Sequence, residues 1–162
     1  MTGLMAGKRG LIMGLANDKS LAWGISKKLA EQGAELAFSY QGEALQKRVG
    51  PLAGQLGSDF LFDCDVSNGD ALDAAFATLK KRWETIDFVV HAIGFSDKNE
   101  LRGKYVDTSL ENFLMTMNIS AYSFTAVARR AREMMPDAAR VLMAPAEMAL
   151  TRMPCLPMST AR

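Results

Sequence analysis

The regular alternation of short apolar runs with longer amphipathic runs is the feature that most limits how this chain can fold. The strand-like runs are GLIMG, ELAFSY, DFLFDCDV, IDFVVHAIG and RVLMA. Between them lie runs with helical periodicity: SLAWGISKKLAEQG, GEALQKRVGPLAGQLG, GDALDAAFATLKKRW and a stretch from about Ser109 to Met135. Strands and helices that take turns in this way form a parallel sheet covered on both faces.

Chain connectivity then limits the order of the strands. Right-handed crossovers predict five parallel strands in the order 3-2-1-4-5, with a ligand crevice at the carboxyl ends of strands one and four. In the first helix, Ser20 stands at the N-cap position and Gly33 can close the end. We therefore predict a truncated, Rossmann-like, doubly wound α/β fold, with residues 1–162 as a single domain.

Composition excludes several classes of partner. The chain has 162 residues with 19 basic and 18 acidic side chains, so it lacks the field that gathers nucleic acid or anionic membrane. No run approaches the roughly 20 apolar residues of a membrane span, and there is no apolar signal segment at the start. Cys64 and Cys155 match no metal-ligand spacing. We expect a cytoplasmic protein with a small-molecule or protein partner and no metal.

The turn after the first strand, GLANDKSLAWG, has small residues where a pyrophosphate would approach a helix N-terminus. These residues are Gly14, Ala16, Ser20 and Ala22. Their spacing differs from the standard G-x-G-x-x-G, so the motif alone is compatible with phosphate binding or with a plain strand-to-helix turn.

The ends of the later strands supply further candidates for binding a dinucleotide. Gln41 ends the second strand, where the adenosine ribose is met, and no arginine follows to receive a 2′-phosphate, so NADH is favoured over NADPH. Asp65 and Val66 would flank the adenine, although Asp65 is equally compatible with a strand-end turn. Ile93 and Gly94 end the fourth strand and would allow close approach of the ribose and nicotinamide.

Three other features favour structural interpretations. His91 lies within the fourth strand, where a satisfied core imidazole is commoner than a catalytic one. Cys64 is interpreted as core. The group Arg129, Arg130 and Arg132 could bind an acidic partner, but a solvated helix face is favoured.

Residues 1 to about 137 resemble bacterial NADH-dependent enoyl-acyl-carrier-protein reductases, a divergent group of short-chain dehydrogenases/reductases. The segments that match in order are GKRGLIMGLANDKSLAWGISKKLAEQGAELAFSYQGEALQKRV, CDV, FVVHAIGFSDKNEL, YVDTS and YSFTAVARRA. The resemblance implies NADH bound through the candidates above, with Phe95 and Ile93 at the edge of the substrate pocket. It also implies an enoyl thioester or acyl carrier protein as partner, and self-association through the long helix around Tyr122 and Phe124.

The resemblance stops near residue 138, and residues 138–162 form a divergent tail. All 13 glycines lie at or before Gly103, whereas four of the five prolines lie at or after Pro136. The family's catalytic pair is Tyr-x6-Lys. Aligning Met153-Pro154 with the family pattern places Leu156 at the tyrosine position and the lysine position beyond Arg162. The pair Tyr40 and Lys47 has the right spacing but lies at the adenosine end, so we predict no catalytic residue in this chain.

Two functions remain open on the sequence. One is an NADH-dependent enoyl reductase of fatty-acid biosynthesis, which reduces the 2,3 double bond of enoyl thioesters. The alternative is a catalytically inactive module of the same descent that binds a dinucleotide or associates with other subunits.

Overall fold

The computed structural model describes residues 3–136 and 139–143. Within these ranges five strands are present: β1 (Arg9–Met13), β2 (Glu35–Tyr40), β3 (Leu61–Asp63), β4 (Phe88–His91) and β5 (Arg140–Met143). The described part of the chain also contains five α-helices: α1 (Leu21–Glu31), α2 (Gly42–Gln55), α3 (Gly69–Arg82), α4 (Leu110–Met117) and α5 (Ser123–Ala131). Short 3₁₀ turns lie at Tyr105–Asp107 and Arg132–Met134.

The strands form one parallel sheet in the order β3-β2-β1-β4-β5, which confirms the predicted topology. At the carboxyl edge, Met13 of β1 is paired with Ser39 of β2 and with His91 of β4. Because the strands are parallel, the loops that leave β1, β2, β3 and β4 all emerge at this edge. The fifth strand falls on the predicted RVLMA run.

Side chains of β1 alternate between two hydrophobic cores, one on each face of the sheet. Leu11 and Met13 pack in the core formed with α3 and α5, whereas Ile12 packs in the core formed with α1 and α2. All three side chains are almost completely buried. A strand buried on both faces has a continuous apolar sequence, which explains the GLIM run.

Helix α1 has the ends that the sequence predicts. The Ser20 hydroxyl accepts a hydrogen bond from the Trp23 amide, so Ser20 is the N-cap. Gly33 has φ of +90° and follows the C-cap residue Gln32, and the Ala34 amide donates to the Leu29 carbonyl. This left-handed glycine ends the helix and turns the chain into β2.

The long helix predicted from Ser109 to Met135 is present, but a π-turn at Asn118–Tyr122 joins α4 to α5. The Ser123 hydroxyl donates a 2.6 Å hydrogen bond to the Ile119 carbonyl. A serine that binds the backbone one turn earlier competes with the regular ladder, which favours a local change of helical pitch.

The prediction that Arg129, Arg130 and Arg132 form a solvated helix face is wrong for Arg130. Arg129 and Arg132 are exposed, but the Arg130 side chain is only 22% exposed. Its guanidinium binds the Asp73 carboxylate at 2.6 Å and the Gly69 and Ala126 carbonyls. Arg130 therefore joins α5 to α3.

Within residues 3–136 and 139–143, no helix is both long and apolar enough to cross a membrane. The same described ranges hold no group of three or more His, Cys, Asp or Glu side chains arranged to bind a metal ion.

Candidate functional site

A cleft of about 260 Å³ lies at the carboxyl edge of the sheet, between the loops that follow β1, β2, β3 and β4. Eight of the ten residues predicted for the cofactor and substrate edge line it: Gly14, Ala16, Gln41, Asp65, Val66, Ile93, Gly94 and Phe95. The cleft is therefore at the position where doubly wound folds bind their ligands.

The other two predicted residues, Ser20 and Ala22, do not line the cleft. The Ser20 hydroxyl is used within the turn, where it donates to the Asn17 carbonyl at 2.7 Å and caps α1. The Ala22 side chain is fully buried in the core. Among the described residues, the backbone amides of Leu21 and Ala22 have no hydrogen-bond partner. These amides, rather than the side chains, are what the first turn of α1 offers to a ligand.

Gly14 is required by the backbone at the start of this turn. Its φ is +96°, and a Cβ atom would collide with the Ala92 carbonyl after β4. The absence of a side chain therefore lets the β1 and β4 loops approach each other at the cleft floor.

The Asp65 carboxylate and the Gln41 side-chain amide line the cleft where β3 and β2 end. Asp65 accepts hydrogen bonds from the Ser67 amide at 2.8 Å and the Ser67 hydroxyl at 2.7 Å. Hydrogen bonds from the Ser67 hydroxyl and backbone amide and from the Gln41 side chain lower the pKa of Asp65, although partial burial opposes this shift. Asp65 is therefore an anion at neutral pH.

The loop after β4 is fixed to the π-turn by Ser120. The Phe95 amide donates to the Ser120 hydroxyl oxygen at 3.0 Å, and this hydroxyl lies 3.2 Å from the Phe95 carbonyl, to which it can donate. Ile119 of the same turn lines the cleft. Neither residue was predicted from the sequence, since both are interior residues of a helix with no motif to mark them.

His91 lies beneath the cleft, fully buried, and does not line it. Its Nε2 atom is 2.7 Å from the Ser123 hydroxyl, which donates its own proton to the Ile119 carbonyl. Nε2 must therefore carry the imidazole proton, and Nδ1 has no hydrogen-bond partner among the described residues. Burial lowers the pKa of His91, so the neutral ring is favoured. His91 therefore lies in the core as expected, but only one of its two ring nitrogens is satisfied.

The structure also places the other residues that the sequence singled out relative to the cleft. Cys64 lines the inner wall of the cleft but is almost fully buried, and burial raises the pKa of its thiol to about 12. Tyr40 lines the β2 end of the cleft. Phe124 is half-buried and packs edge-on against His91, whereas Tyr122 is exposed. Leu156 and the tail from residue 144 onward lie outside the described residues.

A parallel sheet in this order, with a cleft at the β1–β4 switch point and a glycine-containing turn leading into α1, defines a Rossmann-type nucleotide-binding fold. A sequence model of the family described as Enoyl-(Acyl carrier protein) reductase matches residues 14–158. The chain belongs to this family.

Individual relatives agree with this assignment. The chain is 61% identical over 142 residues to the protein named Enoyl-[acyl-carrier-protein] reductase [NADH] 2 of Rhizobium meliloti (strain 1021), covering 88% of this chain and 53% of that protein. It is 45% identical to the protein named Enoyl-[acyl-carrier-protein] reductase [NADH] FabI of Bacillus cereus, covering 86% and 55%. The chain thus spans about half the length of the curated relatives that it matches.

Solved structures show the same fold. The crystal structure of FabI from Candidatus Liberibacter asiaticus superposes with a TM-score of 0.85 at 54% identity, covering 88% of this chain and 55% of that one. An Anaplasma phagocytophilum enoyl reductase described as a complex with NAD superposes with a TM-score of 0.84 at 52% identity, with the same coverage.

Proposed function

We propose that this chain binds NADH in the cleft at the carboxyl edge of the sheet. The observation that supports it is the turn after β1: its residues Gly14 and Ala16 line the cleft, and it leads into α1, whose first amides, those of Leu21 and Ala22, are unpaired among the described residues. Two amide donors at the positive end of a helix suit a pyrophosphate. The Anaplasma phagocytophilum enoyl reductase described as a complex with NAD has this fold at 52% identity.

The other cleft residues have complementary roles in this proposal. Gln41 would hydrogen-bond the adenosine ribose, and Asp65 with Val66 would hold the adenine. Ile93 and Gly94 would adjoin the nicotinamide, and Phe95, which is 52% exposed, would lie at the substrate edge. An apolar wall near the nicotinamide excludes water from the place where hydride transfer occurs.

We further propose that the whole protein acts as an enoyl-acyl-carrier-protein reductase of fatty-acid biosynthesis. Bound NADH would supply a hydride to the β-carbon of an enoyl thioester. The reaction also needs a proton donor and a group that stabilises the enolate oxygen. Among the described residues of the cleft, Tyr40 is the one phenol, and it lies at the β2 end away from Ile93 and Gly94. Catalytic groups are therefore not assigned to the described part.

An apolar stripe on α4 supports association with a second copy. Leu110, Leu114 and Met117 are 66%, 57% and 45% exposed and follow helical spacing. A contiguous exposed apolar face of this kind is typical of interaction surfaces. We propose that it takes part in homo-oligomer formation.

Thermal unfolding with and without NADH tests the binding proposal. A ligand at about 100 times its dissociation constant stabilises a protein by about 2.7 kcal/mol, which gives a clear increase in Tm. The variant Ala16→Glu places a carboxylate in the turn that would hold the pyrophosphate and should abolish this increase. The matched control Ala77→Glu adds the same charge on the exposed face of α3 and should leave it unchanged.

Incubation with NADH and an enoyl thioester separates the two candidate functions. Loss of NADH absorbance above a heat-inactivated control supports the reductase. A ligand-dependent rise in Tm without turnover supports the alternative, a dinucleotide-binding module that is catalytically inactive. No rise in Tm at any NADH concentration would contradict both.

A further inference from the structure

Two carboxylates lie close to Gln41 at the edge where β2 and β3 end. Asp63 is the last residue of β3 and pairs in register with Tyr40, directly before Gln41. Its Oδ1 atom accepts a 3.0 Å hydrogen bond from the Gly42 amide, the first amide of α2. Asp65 faces Gln41 from inside the cleft.

From this arrangement we propose that Asp63 determines cofactor specificity. Its charge makes the cleft select a dinucleotide whose adenosine ribose has a free 2′-hydroxyl over one that carries a 2′-phosphate. The inference rests on the proposed dinucleotide function. It assigns to Asp63 the discrimination against a 2′-phosphate, in addition to the hydrogen bond that Gln41 would make to the ribose.

The hydrogen bond to Gly42 is the first reason. The residue that ends β2 in this fold meets the adenosine ribose, so a 2′-phosphate would lie near Gln41 and the start of α2. The N-terminus of a helix is where an added phosphate would find amide donors. At α2 the Gly42 amide is already bound to the Asp63 carboxylate, which occupies that position with a negative charge.

The charge balance is the second reason. Among the described residues, neither Asp63 nor Asp65 forms an ion pair with a lysine or arginine. A phosphate monoester brings about 1.5 to 2 further negative charges at neutral pH. Repulsion between these charges and two unpaired carboxylates weakens binding of the phosphorylated cofactor, while a ribose hydroxyl can donate a hydrogen bond to a carboxylate.

Asp63→Asn isolates the charge from the geometry. The amide oxygen of Asn can still accept the Gly42 hydrogen bond, and Asp63 is exposed, so the fold should be retained. Asp65 is unsuitable for this purpose because it lines the cleft and is a candidate for adenine binding. Asp63→Glu keeps the charge and should behave like the unaltered protein. Glu84→Gln removes an exposed charge before β4, at the opposite edge of the sheet, and is the matched control.

Titration calorimetry of each variant with NADH and with NADPH gives the test. In Asp63→Asn, NADPH affinity should rise by about fivefold or more, as expected for removing one partly screened like charge, and NADH affinity should change by less than about twofold. The NADH preference of the unaltered protein should shrink as salt is added, and that of Asp63→Asn should respond less.

The outcomes separate this inference from the function on which it rests. If the unaltered protein binds NADH but Asp63→Asn leaves the NADH-to-NADPH ratio as it was, Asp63 has no such role and the binding proposal stands. An equal change in Glu84→Gln would also overturn the assignment, because it would reflect net charge. If the unaltered protein binds neither dinucleotide, the proposed function itself fails and the inference fails with it.

Discussion

Gly14 shows how a single residue positions the cleft. It combines a positive φ with a close approach to the Ala92 carbonyl, so both its conformation and the space around it exclude a side chain. Its place directly after an apolar run made it predictable as a turn residue. That its hydrogen faces the loop after β4 was not predictable, because this contact depends on strands far apart in sequence.

Gly14→Ala should destabilise the protein by about 1–3 kcal/mol, because an alanine there is strained in φ and collides with Ala92. Gly24→Ala is the matched control: Gly24 lies within α1, and a Cβ atom there meets open space. This control should stabilise the protein by about 0.5–1 kcal/mol. Urea unfolding of both variants gives the comparison, and equal effects at the two positions would contradict the argument.

His91 should make stability depend on pH, since it is the only histidine in the chain. Burial lowers its pKa below the ordinary value of 6.5, so the unfolded chain takes up this proton before the folded protein does. The contribution of His91 to the free energy of unfolding is therefore fully present above about pH 6.5. It falls as the pH decreases below that value, by up to about 1.4 kcal/mol per pH unit.

The measurement is the free energy of unfolding between pH 7.5 and 5.5 for the unaltered protein and for His91→Phe. Phenylalanine cannot be protonated and can still pack against Phe124. The variant should show no dependence of this size in the same range. If the free energy of unfolding changed equally with pH in the two proteins, groups other than His91 would cause the pH dependence.

At the scale of elements, the pattern of apolar residues predicted where strands and helices lie, and packing determined the exceptions. The strands and α1 follow directly from local patterns and caps. The π-turn at Asn118–Tyr122 does not, because it depends on hydrogen bonds of Ser123 and Ser120 to the backbone and to the β4 loop. The inward position of Arg130 likewise depends on α3, which no sequence pattern in α5 reveals.

Arg130→Gln should weaken the contact between α5 and α3. The substitution removes the bond to Asp73 and leaves the Gly69 carbonyl without this donor. We expect a loss of about 1–2 kcal/mol in the free energy of unfolding, as is typical of a partly buried charged hydrogen bond. Arg129→Gln, one residue earlier on the exposed side, should change stability by less than about 0.5 kcal/mol. Chemical denaturation of the pair checks this, and similar losses would argue against a special role for Arg130.

For the molecule as a whole, the sheet order brings four separate loops to one edge, and this order is a common one for alternating strands and helices joined by right-handed crossovers. The location of the cleft and eight of its lining residues could therefore be predicted. Ser20 and Ala22 were predicted as small residues of the turn that presents backbone amides, and the fold further shows that the Ser20 side chain caps α1 and the Ala22 side chain packs in the core.

The central position of β1 also affects how the molecule fluctuates. This strand is paired on both sides and its side chains are shielded on both faces, so its amides should be among the slowest in the protein to exchange with solvent. The Gly14 turn continues directly from it. The floor of the cleft is thus attached to a segment that we expect to open only with global unfolding, so that local fraying of the outer strands should leave it in place.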